Sequence, residues 1–543
     1  MGTGLVAAQT YPQGWFRNPM NIPLELVANF GELRTNHWHM GLDIRTQRRE
    51  NLPVHAAAEG YISRIKIEPG GFGRAIYIDH PNGYTTLYAH LNTFMPALES
   101  WVKAEQYQLQ SWAVELPVPP QLFPLTKGQF IAYSGNTGGS AGPHLHFEIR
   151  DTKTEACLNP LLFGFFIPDG VPPRISRLAL YRRDRSVYAQ TPQYLTLVRS
   201  GASYTVAGGT VQTGSPRISF AVGTTDVFTG YTNPNGIYSG AIFLDGQLQS
   251  QFELDNIGYS QTRFMNAHTD YQVKWNNGPW LQHLTRMPGD NSSVYRGASD
   301  GVLDITDGQP HAVHMVVKDV AGNATTVQLR VQYNPALAKP YTPAAQQWLP
   351  NQVNVFEEAF FEASSTEAGV YDTVDVTFAQ KAAPAAGSVS ALFQFISPAI
   401  PVHEAITVRI KPNRTLSEAE RACTVIVHTA KDKKAIEKAR WNGDWAWARF
   451  RQLGAYQAFV DTVLPTVNPP QLGNKISFTP KDNFGIRSLR AELDGQWLRF
   501  TNNGGRTWVY TMDEKFTPGV HHLTVMVTDI AGNVTTKEWT VRR

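Results

Sequence analysis

Apolar and polar residues alternate over short runs for most of the chain, between clusters of Gly, Pro and Asn. "GYISRIKIE" (60–68), "RAIYIDH" (74–80) and "YTTLYAHL" (84–91) have the period of two expected of antiparallel strands with one face in a core. One segment has a different period. In "PALESWVKAEQYQLQSWAVEL" (96–116), Leu98, Trp101, Val102, Leu109 and Trp112 fall near helical spacing. Pro96 suits a first turn and "PVPP" ends the run, so the pattern predicts a helix inserted between strands at about 94–126. Its tryptophans are expected to cover a sheet face, with a wall of a cleft as the other reading.

Past residue 168 the strands shorten and a repeat emerges. "HAVHMVVKDVAGNATT" (311–326) matches "HHLTVMVTDIAGNVTT" (521–536), and "GIYSGAIFLDGQ" (236–247) matches "GIRSLRAELDGQ" (485–496). "ISF" recurs at 218–220 and 476–478, in the same order, with extra residues in the first copy. Each copy closes a hairpin with Ala-Gly-Asn, where Gly and Asn tolerate positive φ, and the whole reads as an immunoglobulin-like β-sandwich. The expected class is mainly β. The expected units are 1–168, a β-sandwich at 169–335, a β-rich unit of unreadable role at 350–460, and a second β-sandwich at 461–543. "DKKAIEKARW" (432–441) is expected to be helical.

Composition adds limits. A chain of 543 residues exceeds one ordinary core, and its 42% hydrophobic and 17% charged content describes a folded protein. A formal charge of +3 gives no support for nucleic-acid binding, and no run is long enough for a transmembrane helix. Cys157 and Cys423 fit no metal or redox spacing. The opening "MGTGLVAAQTYPQ" resembles the end of a signal peptide without a basic or full apolar region, so a signal remnant and a plain terminus are both open readings.

The chemistry lies in the first 150 residues. His39 and Asp43, in "HMGLD", can reach one ion from an extended backbone, and Gly41 between them argues against a helix and permits a turn. In "GPHLHFEIR", His144, His146 and Glu148 share one strand face while Leu145, Phe147 and Ile149 take the other. His90 ends the strand "LYAHL". Each pattern alone is weak, since His-x-x-x-Asp arises roughly once by chance among 15 histidines.

Together, "HMGLD", "YAHL" (88–91) and "GPHLHFE" (142–148) resemble the lysostaphin-like (LytM) zinc endopeptidases that cut peptidoglycan peptide cross-links, in a multidomain form of the Bacteroidetes type. The resemblance covers about residues 20–165. It implies a lysostaphin-like antiparallel β-sheet peptidase domain at 1–168, one Zn²⁺ held by His39, Asp43 and His146, and catalytic roles for His90 and His144. Three protein ligands leave the open position that a water-activating zinc needs. The glutamate of His-Glu-x-x-His is absent, since "HEAIT" (403–407) ends in threonine, so His90 and His144 are left to move protons. Which of them is the base does not follow from sequence.

His37 falls outside the family spacing, and His55 and His80 are read as structural. Glu148 is read equally as a charge on the strand surface and as a partner orienting a ligand imidazole. "DGVLDITDG" (300–308) needs only turn chemistry.

The expected activity is hydrolysis of peptidoglycan peptides by an exported, periplasmic or envelope-associated enzyme. A catalytically silent activator of other wall hydrolases is the alternative, and an adhesin or glycan binder ranks lower. A protein or glycan partner for the β-sandwiches stays open.

Overall fold

A computed structural model describes residues 11–297, 299–502 and 504–543. The signal-like stretch falls mostly in residues 1–10, outside the described residues. The protein is mainly β.

The sheet that positions the site is formed by β1 (Leu26–Ala28), β2 (Leu42–Arg45), β3 (Gly60–Ile67), β4 (Arg74–Asp79), β5 (Tyr84–Ala89), β6 (Val114–Pro117) and β7 (His144–Asp151). Its order is β1-β2-β7-β5-β4-β3-β6 and every pairing is antiparallel. Alternation fixes its faces: Leu145, Phe147 and Ile149 of β7 enter one core with Leu42, Ile44 and Tyr88. A slip of one residue would bury the histidines instead, so this apolar set locks the register. In that register His146 lies opposite Asp43 on one side and Ala89 on the other.

Helix α1 (Pro96–Leu109) forms within the expected insertion but is shorter than 96–116. It stops where Gln110 turns left-handed at φ 48°, and Val114–Pro117 returns as β6 along β3, so Trp112 lies beyond the helix. Leu98 and Val102 pack inward, and Trp101 meets Phe123 edge-on. The outer face does not wall a cleft. Tyr107 Oη donates to Asp513 at 2.6 Å, Lys103 pairs with Asp513 and Glu514, and Arg499 donates to Gln106 at 2.7 Å. The C-terminal unit is thereby brought back onto the first.

In the two repeat copies, β8 (Ser239–Leu244), β9 (Gln247–Glu253), β10 (His311–Lys318) and β11 (Ala324–Tyr333) run in the order β9-β8-β10-β11. The matching segments are β12 (Ile486–Leu493), β13 (Gln496–Trp497), β14 (Val520–Asp529) and β15 (Val534–Arg542), in the order β13-β12-β14-β15. Each faces a second sheet that carries its "ISF", at Arg217–Thr225 and Lys475–Phe478.

Between the copies, two five-stranded sheets share one core. The helix expected in "DKKAIEKARW" is not formed. Lys433–Lys438 is a strand antiparallel to Thr424–Ala430, followed by the strand Arg440–Asn442. The partner "TVIVHTA" is strongly β-forming, and the tight turn at Lys431 (φ 51°) hands the chain back along it. Pairing outweighs helix propensity there, and lysines suit this edge position.

Candidate metal centre

β2, the segment just before it and β7 bring Asp43, His39 and His146 together in the buried interior of a cleft. His39 Nε2 and His146 Nδ1 each lie 2.9 Å from Asp43 Oδ1, and 3.0 Å from each other. The far nitrogen of each ring is already committed. His39 Nδ1 donates to the Asn29 carbonyl at 2.7 Å, and His146 Nε2 donates to Glu148 Oε1 at 2.8 Å. Two imidazole lone pairs and a carboxylate oxygen therefore face one another, which is repulsive unless a cation or a proton lies among them. Tetrahedral zinc at its usual bond lengths holds its ligands about 3.3 Å apart, so the donor set fits that ion after a small expansion.

Gly41 is required here for close approach. Its backbone is not left-handed, so no turn demands it, but a Cβ there would lie 2.4 Å from the Phe147 carbonyl oxygen and 3.1 Å from His146 Cε1.

His90 and His144 flank the centre with ring centroids 4.7 Å apart. His90 Nδ1 donates to the Thr137 carbonyl at 2.8 Å, and His144 Nδ1 to the Gly142 carbonyl at 2.8 Å. Each ring thus keeps its Nε2 free of that anchor, and His144 Nε2 lies 3.4 Å from Asp43 Oδ1. Burial, aided by the charges of His146 and His144, pushes His90 down to about 3, so it is neutral. Burial opposes ionisation of Asp43, yet its three histidine partners hold it well below the usual carboxylate range. Arg34 Nη2 approaches its other oxygen at 3.4 Å.

Glu148 is fully buried and serves as a hub. Besides His146, it accepts from Arg150 Nε at 2.7 Å, Tyr259 Oη at 2.6 Å and Cys157 Sγ at 3.4 Å. Burial would raise its pKa, but the Arg150 charge and the His146 bond bring it down to about 2. Both cysteines are free thiols. His37 stands outside the ligand group, exposed, with Nδ1 on the Thr35 carbonyl. His80 bridges the Glu59 carbonyl and Thr86, a packing role.

Local sequence gave no sign of Tyr259, which comes from the next unit. There Asn256–Ile257 pairs with Cys157–Leu158 and extends the peptidase sheet. Arg150 was findable, because it shares the strand face of Glu148. Tyr259→Phe removes one of the two neutral donors on the hub while keeping the ring against Phe72. Zinc affinity is expected to fall about tenfold with little loss of stability, measured by competition with a chromophoric chelator.

The cleft encloses about 870 Å³. His90, His144 and the loop Gly139–Pro143 line one part of it and Tyr259 and Thr262 another, while Arg34, Arg45, Arg48 and Lys66 also reach it, with Arg34 paired to Glu32 and Asp43, Arg45 to Glu25 and Lys66 to Glu68.

Residues 37–107 match Peptidase family M23, so the chain carries a lysostaphin-like peptidase domain of that family. Residues 346–461 match a Zu5-like domain and 473–542 a bacterial Ig-like domain. Among similar proteins, the DD-carboxypeptidase/endopeptidase Mpg of Neisseria meningitidis is 36% identical over 118 residues, 22% of this chain and 21% of that protein. An uncharacterized metalloprotease of Haemophilus influenzae is 31% identical over 148 residues, 26% of each chain. The chain thus matches about a fifth to a quarter of the length of these relatives. The catalytic domain of lysostaphin from Staphylococcus simulans aligns at 22% identity and a TM-score of 0.19, covering 25% of this chain and 87% of that one. Among the described residues no helix is long and apolar enough to cross a membrane.

Proposed function

We propose that the chain is a zinc-dependent endopeptidase that hydrolyses peptide cross-links of bacterial peptidoglycan, acting outside the cytoplasm. The observation that carries this reading is the convergence of two imidazole lone pairs and one carboxylate oxygen, with His90 and His144 beside them. The match of residues 37–107 to Peptidase family M23 and the named activity of the Neisseria relative support the substrate class.

His39, Asp43 and His146 are the residues that would hold the metal. A zinc ion there supplies Lewis acidity, polarising a substrate carbonyl and acidifying water near neutral pH. The chain's own groups do the rest. His90, fixed by its bond to Thr137, leaves Nε2 toward the same space, where it takes up a proton or steadies developing oxyanion charge. His144, fixed by Gly142, faces the same space and returns the proton or supports developing oxyanion charge.

The test is incubation of zinc-loaded protein with purified peptidoglycan and mass spectrometry of the released fragments. Cross-link peptides cut at one bond type are expected, and His144→Ala should release none while keeping its zinc. Equal release by that variant would sink the catalytic assignment. Zinc binding without any release by the native chain would instead favour a silent regulator.

A further inference from the structure

Away from the cleft, three aspartates converge at one end of each repeat copy. Asp169, Asp226 and Asp319 bring carboxylate oxygens within 4.8 Å of one another, and so do Asp461, Asp482 and Asp529. The two groups are built alike. Asp319 and Asp529 open the Ala-Gly-Asn turns, and Asn323 and Asn533 each donate from Nδ2 to that aspartate at 2.8 Å. Asp169 and Asp461 sit in the segments that lead into each β-sandwich, and their Oδ1 atoms accept from Val171 N and Val463 N, two residues on. Just beyond, Thr325 and Thr535 donate to the carbonyls of Pro173 and Pro465.

Acidic clusters are common on surfaces, but in each of these groups two aspartates are buried and the third is half-buried. Asp226 is 3% exposed and Asp461 1%. Buried polar atoms are almost always hydrogen-bonded, and here four carboxylate oxygens are not. Asp169 Oδ2 and Asp226 Oδ1 lack a hydrogen-bond partner in the first group, and Asp461 Oδ2 and Asp482 Oδ2 in the second. Among the described residues none of the six aspartates takes part in an ion pair with Lys, Arg or His. A protein that buries like charges this way twice, in diverged copies, needs a counter-charge at both places.

We propose that each group is a calcium site, so that the chain binds two Ca²⁺ ions in addition to the ion of the peptidase cleft. The donors are all carboxylate oxygens, which select a hard cation over zinc. Calcium bonds of 2.3–2.6 Å place opposed ligands up to about 5 Å apart, which admits oxygens all within 4.8 Å of one another, whereas magnesium keeps several waters and is seldom held by a cage of protein carboxylates. A bound ion ties the entering segment to two loops of the sandwich and so sets the angle at which each sandwich leaves its neighbour. At the first site that neighbour is the peptidase unit, and the sandwich so held carries Tyr259 and Thr262 of the cleft wall. Calcium binding at either place stands whether or not the cleft hydrolyses peptides.

The test is isothermal titration of CaCl₂ into the full chain, stripped of metal by passage over chelating resin and then reloaded with one equivalent of zinc. Two ions per chain are expected, with a Kd of about 10⁻⁴ M or tighter, together with a rise of several degrees in melting temperature. Asp226→Asn and Asp482→Asn should each remove one ion. In calcium-free buffer both variants should melt at or above the native temperature, because a buried charge is relieved, and below it once calcium is added. An aspartate needed only for its hydrogen bonds would lower the melting point in both buffers, which overturns the assignment. So would absence of calcium binding, full binding by the variants, or equal binding of MgCl₂.

Discussion

His146→Ala is expected to drop bound zinc from about one to below about 0.1 ion per chain and to abolish release of peptides from peptidoglycan. The substitution removes one of three ligand atoms that converge within 3.0 Å. It leaves Glu148 paired with Arg150 and Tyr259, so no isolated charge is left buried and the sheet should survive. Elemental analysis of the purified variant, with far-UV circular dichroism as a check on folding, decides the outcome. Retention of stoichiometric zinc would overturn the ligand assignment. The same residue makes native zinc binding depend on pH. Burial would lower the His146 pKa, but its bonds to Asp43 and Glu148 outweigh this and hold it at about 9 without metal. A proton must therefore leave when zinc enters, and affinity falls as pH falls. Between pH 8 and pH 6 the apparent affinity should drop roughly a hundredfold, one decade per unit for each proton displaced.

Gly41→Ala should have the next largest effect, although it adds only one methyl group. Its Cβ would sit 2.4 Å from Phe147 O and 2.9 Å from Glu148 Cγ, against a central strand that cannot yield without breaking its pairing to β5. The segment carrying His39 and Asp43 must lift away, at a cost of roughly 1–3 kcal/mol in stability. Misplacing two ligands by a fraction of an ångström should lower activity about a hundredfold. Gly70→Ala, where nothing lies within 4 Å, is the control that should change neither melting temperature nor turnover. Equal behaviour of the two variants would show that close approach at Gly41 is not what the site needs.

Much of this centre is legible in the sequence, because its parts are local. Alternation along "HLHFEIR" separates a core face from a ligand face without any knowledge of the partner strands, and it places Glu148 beside His146. The matching Ala-Gly-Asn turns likewise announce two related sandwiches before any strand is paired. Local pattern fails where two local preferences compete. "KKAIEK" has good helix formers, yet it lies next to a strand that offers it a ladder of hydrogen bonds. "LQSWAVEL" follows a helical stripe, yet the sheet edge at β3 captures its second half.

The sequence by itself singled out the candidate residues: the motifs around His39, Asp43, His90, His144 and His146, and the side of the strand on which the last two stand. Only the tertiary structure decided what surrounds them, because hydrogen bonds and burial join residues that are remote in the chain. Tyr259 reaches Glu148 from 111 residues away, and α1 meets Asp513 from over 400. Asp169 comes to lie beside Asp226 and Asp319 only when the sandwich closes. Periodicity records which way a side chain points from its own backbone, and folding alone records what it meets.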